Sequence, residues 1–86
     1  MKMDSKILIC LQIPSILRVF EVRVPGDVPV RELLPLFVRM AVSLSDGAYV
    51  SSGQELLCAN RQNLPLGGGA TLADYGIGNG DHLTML

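Results

Sequence analysis

Val24-Pro25-Gly26-Asp27-Val28-Pro29-Val30-Arg31-Glu32-Leu33-Leu34-Pro35-Leu36-Phe37-Val38 is the stretch in which the chain changes its period. Just before the break, Phe20, Val22 and Val24 alternate with Glu21 and Arg23, the period of two of a strand with one buried face. After it, Val30, Leu33, Leu34, Phe37, Ala41 and Leu44 fall at i, i+3, i+4, i+7, i+11 and i+14, one apolar stripe at helical spacing, with Arg31, Glu32, Arg39 and Ser43 off it. Pro25-Gly26-Asp27 makes the corner, because proline cannot donate to a strand ladder and glycine accepts the positive φ of many tight turns. Asp27 is placed to meet the free amides of the helix start, and Pro29 suits a first helical position. Pro35 is the misfit. A proline inside a helix costs roughly 3 kcal/mol, so the sequence predicts a kink near Arg31 or a main helix restarting at Pro35.

Nearer the N-terminus, Ile7, Ile9, Leu11 and Ile13 alternate with Lys6, Leu8, Cys10 and Gln12, which predicts a strand over 6–13. Pro14-Ser15 is a turn signal, and the strand over 17–24 then closes a hairpin. Beyond the helix, Ser45-Asp46-Gly47 is a stop, and 48–53 reads as a loop with Tyr49 and Val50 packed over the sheet edge. Residues 54–60 read as a third strand, with Leu56 and Cys58 toward the helix and Leu57 and Ala59 outward. Asn63 to Leu66 is a very short strand or a turn, Gly67-Gly68-Gly69 a connection needing backbone freedom, 71–76 one capped helical turn, and 82–86 the last strand. The predicted order is ββαβ(β)β, an α+β fold in a single domain over residues 1–86.

Composition limits the function. Eighty-six residues are too few for two cores, and 49% apolar residues with only 17% charged exclude disorder. Seven basic and eight acidic residues without a like-charged run give no footprint for a phosphate backbone, so no nucleic-acid partner is expected. The longest apolar run, Ile7 to Leu11, is far short of the roughly 20 residues of a membrane span, and the start, Met1 to Lys6, is charged; the chain reads as cytosolic, without membrane insertion. Cys10 and Cys58 lie far apart in sequence and form no redox or metal motif, so both are expected as reduced thiols.

A hairpin, a helix laid across the sheet, and a helical turn before the last strand are the plan of the β-grasp, or ubiquitin-like, fold. Gln54-Glu55-Leu56-Leu57-Cys58-Ala59 resembles the third strand of ubiquitin, and Thr71-Leu72-Ala73-Asp74-Tyr75-Gly76-Ile77 with Asp81-His82-Leu83 is similar to its approach to the last strand. The segment from Val24 to Val38, with its proline inside the helix, most resembles the bacterial YukD/EsaB-like proteins and the N-terminal cytosolic ubiquitin-like domain of EccD, both of type VII secretion systems. Because no membrane-spanning continuation follows Leu86, a stand-alone YukD-like protein is expected. The resemblance implies a ubiquitin-like adaptor bound to a cytosolic part of a membrane secretion complex, cytoplasmic and peripheral to that complex.

Catalytic readings fail on inventory. His82 is the only histidine, Gly76-Ile77-Gly78-Asn79-Gly80 lacks the following helix and lysine of a nucleotide loop, and no cofactor or metal is expected. The alternative class, a ubiquitin-like modifier or sulfur carrier activated by an E1-like enzyme, needs a Gly-Gly tail, whereas this sequence ends Met85-Leu86. What remains is the sheet face turned away from the helix. Leu8, Leu57, Ala59, His82 and Thr84 are expected there as a protein-binding surface, with Cys10 and Leu86 beside them. The resemblance places Leu57 and His82 in the recognition patch of ubiquitin, and a weak homodimer through the same patch is a further expectation.

Overall fold

The computed structural model describes residues 6–86; residues 1–5, with most of the charged start, lie outside the described residues. Strands β1 (Lys6–Ile13) and β2 (Arg18–Pro25) form the hairpin, joined by a 3-10 turn over Pro14–Ile16 that leaves Leu17 in the left-handed region at φ 53. Helix α1 (Val30–Leu44) follows, then β3 (Leu57–Ala59), β4 (Leu64–Pro65), a second 3-10 turn (Ala73–Tyr75) and β5 (His82–Met85). The five strands make one mixed sheet in the order β2-β1-β5-β3-β4, parallel only between β1 and β5. This is the expected β-grasp arrangement.

Helix and sheet are joined by an apolar layer. Val30, Leu33, Phe37 and Ala41 of α1 are buried against Ile9, Leu11, Ile13, Val22, Val24, Leu83 and Met85. Leu44, expected at the end of the stripe, is instead 48% exposed, and Leu34 is half-buried. Burying an aliphatic or aromatic side chain contributes about 1.5–3 kcal/mol, so this layer is the main stabilising term.

Two expectations about the helix are corrected: a restart at Pro35 and Pro29 as the first helical residue. Helix α1 runs unbroken through Pro35, which is exposed; on the solvent side, water can reach the Arg31 carbonyl that lost its amide partner. Pro29 is the residue flanking the helix rather than its first member, and it makes no side-chain cap. Distant backbone takes up two of the free amides at the start: Val30 N–H donates to the Ala70 carbonyl at 2.8 Å and Arg31 N–H to that of Gly68 at 3.0 Å.

That contact explains the glycine triplet differently from the sequence reading. None of Gly67, Gly68 and Gly69 has a positive φ, so freedom of backbone conformation is not what is used. A Cβ on Gly68 would lie 3.2 Å from Arg31 Cβ, and one on Gly67 would lie 3.2 Å from the Tyr75 hydroxyl. Glycine there permits close approach of the loop to the helix. The loop is further held by Gly67 N–H donating to the Tyr75 hydroxyl at 2.7 Å. Thr71 and Asp74 cap each other reciprocally, Thr71 N–H on the Asp74 carboxylate and Asp74 N–H on the Thr71 hydroxyl, both at 3.0 Å.

The register of β3 is the opposite of the expected one. Leu57 and Ala59 are each 1% exposed, whereas Leu56 is 46% exposed and Cys58 half-buried. The cause is pairing: Leu57 stands opposite Met85 and Ala59 opposite Leu83, and residues directly opposite in antiparallel strands share a face. Strand β5 alternates His82, Leu83, Thr84, Met85 without ambiguity and therefore sets the facing of its neighbour. In the loop after α1, Tyr49 is buried as expected, but Val50 points to solvent.

Candidate protein-interaction surface

The face of the sheet away from α1 is built from the alternate residues of each strand. Strand β1 supplies Leu8, Cys10 and Gln12, β5 supplies His82 and Thr84, and β3 supplies Cys58, flanked by Asn60. Cys10 pairs with His82 and Gln12 with Thr84 across the parallel ladder; Cys58 pairs with Thr84 on the other side. Of the residues expected on this face, Leu8, His82 and Thr84 are therefore present, His82 exposed and the other two half-buried. Leu57 and Ala59 are not; they lie in the core beneath it.

The centre of the face is polar, not apolar. Asn60 Nδ2 donates to Gln12 Oε1 at 2.6 Å, and the Thr84 hydroxyl lies 3.1 Å from the same Gln12 oxygen and 2.7 Å from Asn60 Oδ1. One threonine hydrogen can serve only one of those two acceptors at a time. The network fixes three side chains, from β1, β5 and the turn after β3, and leaves outward-facing donor and acceptor capacity on the amides. Around it stand Leu8, Cys10, Cys58 and the exposed Leu56 and Leu86. A depression of about 500 Å³ opens beside the network, floored by Cys58, Asn60, Pro65 and Thr84.

Both thiols are free. Strand β5 separates them, which puts two strand spacings, about 10 Å, between their strands and exceeds the reach of a disulfide. At the end of the face, Arg61 forms a paired contact with Asp81, Nε at 3.2 Å and Nη2 at 3.0 Å, while Gly78 N–H donates to the same carboxylate at 2.8 Å. The Arg61 guanidinium and the Gly78 amide hold the Asp81 carboxyl below its ordinary value of 3.8. Among the described residues no group of three histidine, cysteine or acidic side chains is placed to hold a metal ion.

A second concavity, about 680 Å³, lies on the opposite side between α1 and the 51–55 loop. Its floor is Leu34, Pro35 and Val38, and Arg31 and Arg39 stand at its rim. The loop wall is organised by one carboxylate oxygen: Glu55 Oε2 accepts from the Tyr49 hydroxyl at 2.7 Å, the Ser51 hydroxyl at 2.7 Å and Ser52 N–H at 3.0 Å. Burial pushes the Tyr49 phenol up to about 12, reinforced by the bond to Glu55 and by its charge. For Glu55, burial works to raise the carboxyl, but the hydrogen bonds from Ser51, Tyr49 and the backbone outweigh it and hold the group below its ordinary 4.5.

A family model described as the YukD protein of the WXG100 protein secretion system matches residues 13–85. The chain belongs to the YukD family. No curated protein sequence matches it. Among solved structures, the ubiquitin-like domain of the type VII secretion protein EccD1 of Mycobacterium tuberculosis superposes with a TM-score of 0.74 at 17% identity, covering 94% of this chain and 97% of that one. The EccD5 ubiquitin-like domain of Mycobacterium xenopi gives 0.77 at 13% identity, covering 94% and 92%. Protomer 1 of the ESX-3 core complex gives 0.71 at 22% identity over 94% of this chain, which spans only 16% of that much longer one. These likenesses establish the ubiquitin-like fold of this YukD-family chain.

The Gln12–Asn60–Thr84 network was not anticipated from sequence. Its signal was available: Gln12 is the one amide in the apolar alternation of β1, and a polar residue breaking such a run marks the face that is not core.

Proposed function

We propose that this YukD-family protein is a non-catalytic, non-conjugated accessory component of a type VII secretion system, which binds a cytosolic part of the membrane translocon through the outer face of its sheet. The family match over 13–85 carries the reading. Support comes from the ubiquitin-like domains of EccD1 and EccD5, which have the same fold. The face suits a protein partner: a rigid hydrogen-bonded centre gives directionality, and the apolar margin of Leu8, Leu56 and Leu86 gives area to bury. No helix among the described residues is long and apolar enough to cross a membrane, which accords with action at the cytoplasmic periphery of the complex.

A modifier released at the glycine triplet is disfavoured by topology. Strand β5 lies between β1 and β3, so cleavage after Gly69 would remove an inner strand with buried Leu83 and Met85. The test of the proposal is co-purification of the detergent-solubilised secretion complex with the tagged chain. Leu8→Glu combined with His82→Glu, which leaves the core untouched, lowers recovery by about tenfold or more with an unchanged circular dichroism spectrum. Val42→Glu, on the exposed side of α1, leaves recovery unaltered. Equal loss from both variants overturns the assignment of the sheet face.

A further inference from the structure

The two edges of the sheet are unlike. Strand β4 is a two-residue edge ending in Pro65, and proline there withholds an amide from any further strand. Strand β2 is an eight-residue edge whose ladder with β1 runs through eight consecutive pairs without a bulge. Its free backbone groups can be identified. Cys10 N–H donates to Asp81 and the Leu8 carbonyl accepts from Gly80, so the even residues of β1 bond toward β5 and the odd ones toward β2. Their β2 partners, Phe20, Val22 and Val24, bond back to β1. Val19, Glu21 and Arg23 therefore present both N–H and C=O to solvent, and Pro25 its carbonyl alone.

The side chains along that edge carry a charge pattern that is complementary to itself. Glu21 and Arg23 make no ion pair among the described residues, and Val19 between them and the hairpin turn is 56% exposed. We propose that β2 pairs antiparallel with β2 of a second copy, about a two-fold axis through Val22, joining two five-stranded sheets into one. In that register Glu21 lies opposite Arg23 of the second copy, and Arg23 opposite its Glu21. Both pairs exchange their free backbone hydrogen bonds, and Val19 N–H meets the Pro25 carbonyl at each end. On the helix side, Phe20 faces Val24 and Val22 faces its own copy.

Other registers are worse for stated reasons. A shift of the axis by half a residue sets outward-bonding residues against inward-bonding ones, so no ladder forms. Centring on Glu21 or on Arg23 puts that residue directly opposite its like-charged self, which is destabilising. Moving further shortens the overlap. The contact is isologous, closes after two copies, and leaves the face proposed for the translocon free, so it stands or falls independently of that reading.

Sedimentation equilibrium over a wide concentration range, with amide hydrogen exchange at each end of it, tests the proposal. The native chain shows a monomer–dimer equilibrium, and Val19, Glu21 and Arg23 amides gain protection as concentration rises. Glu21→Arg and Arg23→Glu each weaken association by roughly tenfold or more, since each sets two like-charged pairs at the contact. An equimolar mixture of the two single variants associates again as a heterodimer, which also shows that both are folded. A chain monomeric throughout, single variants that associate as the native chain does, a mixture that stays monomeric, or protection confined to the face of β3 and β5 overturns it.

Discussion

The hairpin and the C-terminal half of the sheet reach the same architecture by different means. Strands β1 and β2 are joined by eight consecutive pairs whose alternation is regular, so one slip would turn the buried Ile9, Leu11, Ile13, Val22 and Val24 to solvent. Strands β3 and β4 are paired over three and two residues, and β3 is apolar at every position. Their placement depends on neighbours and on local anchors: Glu55 beneath the loop that leads into β3, Asp81 before β5, and the reciprocal backbone bonds of Leu56 and Leu86, 3.0 and 2.8 Å. A long strand specifies itself, whereas a short one is specified by what it is packed between.

The largest effect is expected in the core. Leu57→Ala in β3 lowers unfolding free energy by about 2–5 kcal/mol, as much as Leu11→Ala in β1, because both residues are fully enclosed. Urea titration measures both; a change within about 0.5 kcal/mol for Leu57→Ala, the behaviour of a surface site, contradicts its burial. Next in size is Gly76→Ala. The added Cβ meets nothing within 4 Å but must adopt φ +72, so the loss is purely conformational, about 1–2 kcal/mol. A comparable loss, about 1 kcal/mol, is expected for Glu55→Ala, which leaves three donors without their shared acceptor. In that variant the phenolate absorbance of Tyr49 moves down from about 12 toward its ordinary 10.0.

The smallest effects are read by pH, and their signs differ. Glu55 and Asp81 are held below 4.5 and 3.8, so their contribution is complete above those values and is lost as pH falls through the lowered ones. Tyr49 is raised, so its contribution is complete below 10.0 and disappears between there and about 12. Thermal unfolding at stepped pH shows both flanks. Asp81→Asn, which weakens the bonds to Arg61 and Gly78, removes part of the acid flank and leaves the alkaline one.

Much of the fold was legible because its decisive signals are local. The alternation of β1 and β2, the stripe from Val30 to Ala41 and the Thr71–Asp74 cap each lie within a few residues of one another. Two of the differences share a cause: they concern residues whose partner is remote. Two amides of the helix start are taken by the Ala70 and Gly68 carbonyls, and the triple glycine is shaped by Arg31 and Tyr75 rather than by its own turn. In the candidate face, Leu8, His82 and Thr84 were readable from the alternation of β1 and β5. Leu57 and Ala59 were misplaced because an unbroken apolar run carries no phase of its own, and only the pairing with Leu83 and Met85 supplies one.

The position of β5 has a consequence for how the protein comes into being. Gln12 and Thr84 touch across a separation of 72 residues, and the sheet is continuous only when the last of its strands is in place between the first and the third. During synthesis the hairpin and helix emerge with Leu11 lacking Leu83, its neighbour across the parallel ladder. Closure of the sheet therefore waits for residues 82–86 to clear the ribosome, since β1 and β3 meet only through β5.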